Sequence, residues 1–170
     1  VAFRSYAQLT PDDTNGYADI YVHDRQTRNT SRATVNSDGV EGNGSAGYAA
    51  ISANGRFLSY WSQASNLVLG DTNEEEDIFV HDLQTGETTR VSVDSMGIQG
   101  NSHSRYSAIS ADGRYVAFRS LSSNLVPGDI NGVEDTFIHD RQSGLTQRVS
   151  VDSRGKQGNG PSLPDPTIIS

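Results

Sequence analysis

The 170-residue sequence carries 21 acidic against 13 basic side chains, a formal net charge of −8, and no cysteine. An acidic surface repels phosphate backbones and so disfavours a nucleic-acid partner, while no apolar run reaches the roughly 20 residues with which a helix crosses a bilayer, so membrane insertion is not expected. Disulfides and thiolate metal sites are excluded, and the absence of cysteine leans towards a bacterial protein outside the cytoplasm, extracellular or periplasmic.

In chain order, Val1-Ala2-Phe3-Arg4-Ser5 reads as a strand, with no initiator Met or signal peptide before it, so a mature, trimmed or partial chain is expected. The phrase "DDTNGYADIYVHD" (12–24) follows and returns as "GDTNEEEDIFVHD" (70–82) and "GDINGVEDTFIHD" (128–140). His23, His81 and His139 are each 58 residues apart, as are Asp24, Asp82 and Asp140 and the glycines Gly39, Gly97 and Gly155. Residues 47–101 and 105–159 share 33 of 55 positions, so duplicated units occupy equivalent places in a repeating structure. Units are expected at about 1–46, 47–104 and 105–162, followed by a closing strand in 163–170.

The last full unit shows the grammar. "YSAIS" (106–110) is a short strand ended by the turn "ADGR" (111–114), whose Asp-Gly pair is a strong hairpin signal. "YVAFRS" (115–120) is a second strand, and the long loop 121–134 leads to a third, "DTFIHD" (135–140). A tight turn at 141–145 precedes a fourth, "TQRVSV" (146–151), and 152–159 returns the chain to the next unit. Helical periodicity is absent throughout.

Four short antiparallel strands closed by Gly-rich turns make the blade of a β-propeller, an all-β fold in which blades stack about an axis because none buries both faces alone. "AISADGRYVAFRS" followed by "DIFVHDLQTGETTRVSV" resembles the WD40-like, TolB-type β-propeller repeat over essentially the whole chain. His-Asp stands where true WD40 repeats carry Trp-Asp, which favours the TolB-like branch. With Val1–Ser5 matching the second strand of a blade and "TIIS" (167–170) the first, the chain reads b-c-d, a-b-c-d, a-b-c-d, a. Three blades are too few for a ring of four to eight. Either two copies form a six-bladed homodimeric ring, each completing the other's first blade, or the chain belongs to a longer array.

The acidic turns place Asp13, Asn15 and Asp19, then Asp71, Asn73 and Asp77, then Asp129, Asn131 and Asp135 at positions 1, 3 and 7. Alternating oxygen side chains in a tight loop are how Ca²⁺ gathers its six to eight ligands at about 2.3–2.6 Å. Asx chemistry, with side chains holding nearby amides, explains the same letters without a metal, and both readings stay open. The periodic His81 is expected to pack between blades with its ring hydrogen-bonded, and Asp82 to form a turn. Trp61, an aromatic departure from the repeat, and His103, a non-periodic His, are the candidate ligand contacts; edge packing and an exposed loop are the plainer expectations for them.

No Gly-x-Ser-x-Gly, His-Glu-x-x-His or P-loop motif is present, and no catalytic residues are assigned. The expected function is a non-catalytic extracytoplasmic binding module for a protein or glycan, engaged through blade-end loops. The alternatives are the propeller part of a hydrolase or polysaccharide lyase, which the resemblance also allows, and a purely structural array.

Overall fold

The structure, a computed structural model, describes residues 1–162, and the closing strand expected in 163–170 lies outside the described residues. Eleven strands and no helix appear among them: β1 (Ala2–Ser5), β2 (Asp19–His23), β3 (Thr30–Arg32), β4 (Ala46–Ile51), β5 (Phe57–Ser62), β6 (Asp77–Asp82), β7 (Thr88–Arg90), β8 (Ser104–Ile109), β9 (Tyr115–Ser120), β10 (Asp135–Asp140) and β11 (Leu145–Arg148). They pair antiparallel in three sheets, β1-β2-β3, β4-β5-β6-β7 and β8-β9-β10-β11. These are a b-c-d blade and two a-b-c-d blades, as the repeat predicts.

The outermost strand is shorter than expected: β11 stops at Arg148, whereas the alternating pattern suggests strand to Val151. Ser150 turns inward there, its Oγ donating to Asp135 Oδ1 at 2.6 Å, and Ser92 does the same to Asp77 at 2.5 Å. The hydroxyl that anchors the acidic turn ends the strand. The innermost strands carry a second departure, a register shift between Gly47 and Ala50 in β4 and between Arg105 and Ala108 in β8. Tyr48 and Tyr106 occupy these bulges with φ of 50° and 55°, a conformation rare outside glycine.

The core lies between blades. Tyr60 and Phe79 of the second blade, ring centroids 6.1 Å apart, pack with Ile20 and Ala33 of the first; Phe118 and Phe137 of the third, 5.9 Å apart, pack with Ile78 and Val80 of the second. Each fully buried Phe, Leu or Ile contributes about 1.5–3 kcal/mol. Strand β6, covered on both faces, is buried at all six positions, whereas the equivalent β10 alternates buried and half-buried. Equivalent strands thus acquire different burial from their neighbours.

Hydrogen bonds repeat across the two junctions. The first residue of each inner strand donates to the preceding blade, Ala46 N to Ala18 O at 2.7 Å and Ser104 N to Glu76 O at 2.6 Å. The periodic histidines work further out. Nδ1 of His81 lies 2.8 Å from Thr88 Oγ1, whose hydroxyl donates to Val35 O of the preceding blade at 2.6 Å. His139, Thr146 and Val93 repeat this at 2.8 and 2.6 Å. Burial lowers the pKa of both rings, which keeps them neutral within the junction.

Candidate functional site

In the second blade's acidic turn, Asp71 and Asp77 face nitrogen donors. Gln99 Nε2 reaches Asp71 Oδ1 at 2.8 Å and Asp77 Oδ2 at 3.0 Å, and Arg90 Nη1 lies 3.4 Å from both carboxylates. Asn73 accepts from Glu75 N through Oδ1, while its Nδ2 donates to Gly100 O and more weakly to Asp77. The third blade copies the set: Gln157 donates to Asp129 and Asp135, Arg148 lies against both, and Asn131 bridges Asp135 and Gly158 O. The first blade varies it. Asp13 accepts from the Tyr21 hydroxyl and lies 3.7 Å from Arg32, Asp19 accepts from Thr34, and Asn15 bridges Asp19 and Gly42 O. Glu41 stands where the later blades have Gln and takes Arg32 and Thr14.

The nine residues weighed as calcium ligands therefore come together in three clusters, but with guanidinium and amide nitrogens at their centre and Asn oxygens already engaged. Burial pushes the pKa of Asp19, Asp71, Asp77 and Asp129 up, against the opposing pull of the Arg and hydrogen-bond donors around them.

A different site emerges where the repeats diverge. Strands β5 and β9 end, β6 and β10 begin, and β4 and β8 start at one end of the blades, so the b–c and d–a loops share a rim. On that rim, at the junction of the second and third blades, His103 Nε2 lies 3.2 Å from Glu134 Oε1, and the other oxygen of Glu134 accepts from Arg119 Nη2. Glu76, only 7% exposed, accepts from Arg105 Nη2 at 2.5 Å and Gln63 Nε2 at 3.1 Å. Arg105 and Arg119 are directly opposed in the β8–β9 ladder, a like-charge pair that the two glutamates compensate. Arg119 is nearly fully buried, its guanidinium 5.2 Å from the Tyr106 ring, and its Nε and Nη1 have no partner among the described residues. Towards the inner edge, the Tyr48 and Tyr106 rings meet edge-to-face at 4.8 Å.

Both sequence-level ligand candidates lie on this rim. Trp61 is half-buried and packs flat on Gly47, where an added Cβ would come within 2.8 Å of the indole. His103 is half-buried and enclosed by acids, rather than the exposed loop residue expected. Sequence reasoning missed Glu134, Arg105 and Arg119 as site residues. The signal was available in the aligned columns: Gly47 against Arg105, and Trp61 against Arg119, change size or charge between two repeats that share 33 of 55 positions.

No family model and no curated protein matches the chain by sequence. Solved structures do match by shape. A putative TolB from Agrobacterium tumefaciens superposes with a TM-score of 0.54 at 18% identity, over 89% of this chain and 42% of its own. TolB from Acinetobacter baumannii gives 0.51 at 19%, over 87% and 29%. The tricorn protease gives 0.51 at 15%, over 82% and 11%. The chain thus has the TolB-type β-propeller fold and spans less than half the length of these similar structures.

Proposed function

We propose that this chain is a non-catalytic β-propeller binding module that works outside the cytoplasm of a bacterium and engages a protein or glycan through the rim formed by its b–c and d–a loops. The observation that carries the reading is a change of side-chain chemistry on the rim: Gly47 and Trp61 of the second blade stand where the third has Arg105 and Arg119. Loop-built rims on a repeated scaffold are where a partner reads such changes. Tyr48, 61% exposed on the inner edge, adds an aromatic surface suited to stacking on a sugar or a side chain. On this reading the acidic turns are structural clamps.

The test is a glycan array probed with the tagged chain, alongside Tyr48→Ala and Trp61→Ala variants. Array binding lost in both variants supports a glycan partner. A ligand whose binding survives both rim substitutions sinks the reading.

A second reading, the propeller part of a hydrolase or polysaccharide lyase, is favoured by the asymmetric His103–Glu134–Arg119 group, because unlike residues at one junction are what catalysis needs and a uniform array lacks. Turnover of a panel of peptide and uronate substrates that is abolished by His103→Ala would select it.

A further inference from the structure

We propose that Glu75, Glu76 and His103 form a binding site for one divalent first-row transition metal ion at the junction of the second and third blades. One ligand atom from each residue lies within 4.8 Å of the others, and the set joins the b–c loop of one blade to the d–a loop that leads into the next. A tetrahedral ion at about 2.0–2.2 Å from its ligands holds them about 3.5 Å apart, so the three side chains have to draw together to close the shell.

The chemistry of the donors selects the ion class. Imidazole with two carboxylates suits Zn²⁺, Fe²⁺ or Mn²⁺, where all-oxygen loops suit Ca²⁺. Glu76 is paired with Arg105, so Glu75 supplies the negative charge that no ion pair takes up among the described residues. The Glu75 carboxylate has no hydrogen-bond partner among the described residues, and Glu76 uses Oε1 alone for Arg105 and Gln63, which leaves its second oxygen for the metal. His103 is held for the task. Its carbonyl accepts from Leu121 N and Ser120 Oγ, and Glu134 engages its ring at Nε2, the carboxylate–histidine arrangement that orients metal-bound imidazoles.

The set occurs once. The aligned positions are Tyr17, Ala18 and Ser45 at the first junction and Val133, Glu134 and Pro161 at the last. Three protein ligands also leave coordination positions open, so the ion would present water or an exogenous group to the rim.

The site is tested by titrating the metal-free chain with Co²⁺, followed by its visible absorption, and with Zn²⁺ by calorimetry. One ion per chain is expected. His103→Ala, and Glu75→Gln at a half-buried carboxylate with no hydrogen-bond partner among the described residues, should each weaken binding at least tenfold. Glu134→Gln, acting through the ring, should weaken it about tenfold. A wild-type chain that fails to bind Co²⁺ or Zn²⁺, or binding that neither His103→Ala nor Glu75→Gln alters, overturns the proposal. No organic ligand takes part, so the result stands apart from the rim-recognition reading.

Discussion

Gly55 and Gly113 sit at the same point of two copies of one hairpin, both with positive φ, yet they do different work. A Cβ at Gly55 would meet open space, whereas one at Gly113 would collide with the Phe57 ring at 2.0 Å. Phe57 has little freedom to retreat, since the guanidinium groups of Arg56 and Arg141 lie 4.8 and 4.5 Å from its ring centroid. Gly55→Ala should therefore cost about 1–2 kcal/mol from backbone strain, and Gly113→Ala a further ~1–3 kcal/mol from overpacking, read from chemical denaturation midpoints. The turn was legible in the sequence because Asp-Gly and Asn-Gly are local signals; the collision was not, because Phe57 arrives from the neighbouring blade. A second residue-scale consequence concerns pH. Arg56 makes a two-pronged ion pair with Asp82 and holds its carboxyl well below the usual carboxylate range, as Arg114 does for Asp140. A folded-state pKa below the unfolded value means stability present at neutral pH and lost as pH falls through the range below about 3.9. The deficit in melting temperature of Arg56→Met at pH 7 should shrink steadily as the pH is lowered past that value.

Strands and turns were the most readable level of all. The limits of β9 and β10 coincide with their apolar runs, and Asp82 and Asp140 fall at strand ends, as the turn reading of the repeat requires. What the letters concealed was the partner of each side chain. Thr88 looks like an ordinary outer-strand residue, yet its hydroxyl joins the His81 ring to a carbonyl of the preceding blade, whereas Thr30 meets His23 alone among the described residues. Thr88→Val should thus cost about 1–3 kcal/mol by orphaning buried polar groups, and Thr30→Val markedly less, in matched urea unfolding curves. The acidic turns illustrate the same limit. Position 1, 3 and 7 oxygens suggest a metal loop until Gln99 and Arg90, 13–28 residues further on, supply the donors. If these clamps are complete without metal, millimolar Ca²⁺ will leave the melting temperature where it is; a clear upward shift would establish the calcium reading.

For the molecule as a whole, three blades leave surfaces that a closed ring would cover. Strand β1 has no partner on its inner side among the described residues, and Leu145, Val149 and Val151 of the last blade are exposed. Unpaired edges and apolar patches recruit partners, and two proposals cover them: a second copy completing a six-bladed ring, or further blades of a longer array. If a second copy covers them, light scattering in dilute solution reports twice the 18.3 kDa of one chain; a mass of 18.3 kDa would remove the pairing. Near-identical blades also raise a hazard during folding, since a strand finds rival partners of almost the same composition. Gly47 opposite Trp61 and Arg105 opposite Arg119 resolve it. Were β8 to dock on β5, Arg105 would stand where the indole tolerates only glycine; were β4 to dock on β9, Arg119 would face a void. The rim asymmetry thus doubles as a proofreading key, rejecting mismatched neighbours that the copied frame alone would admit.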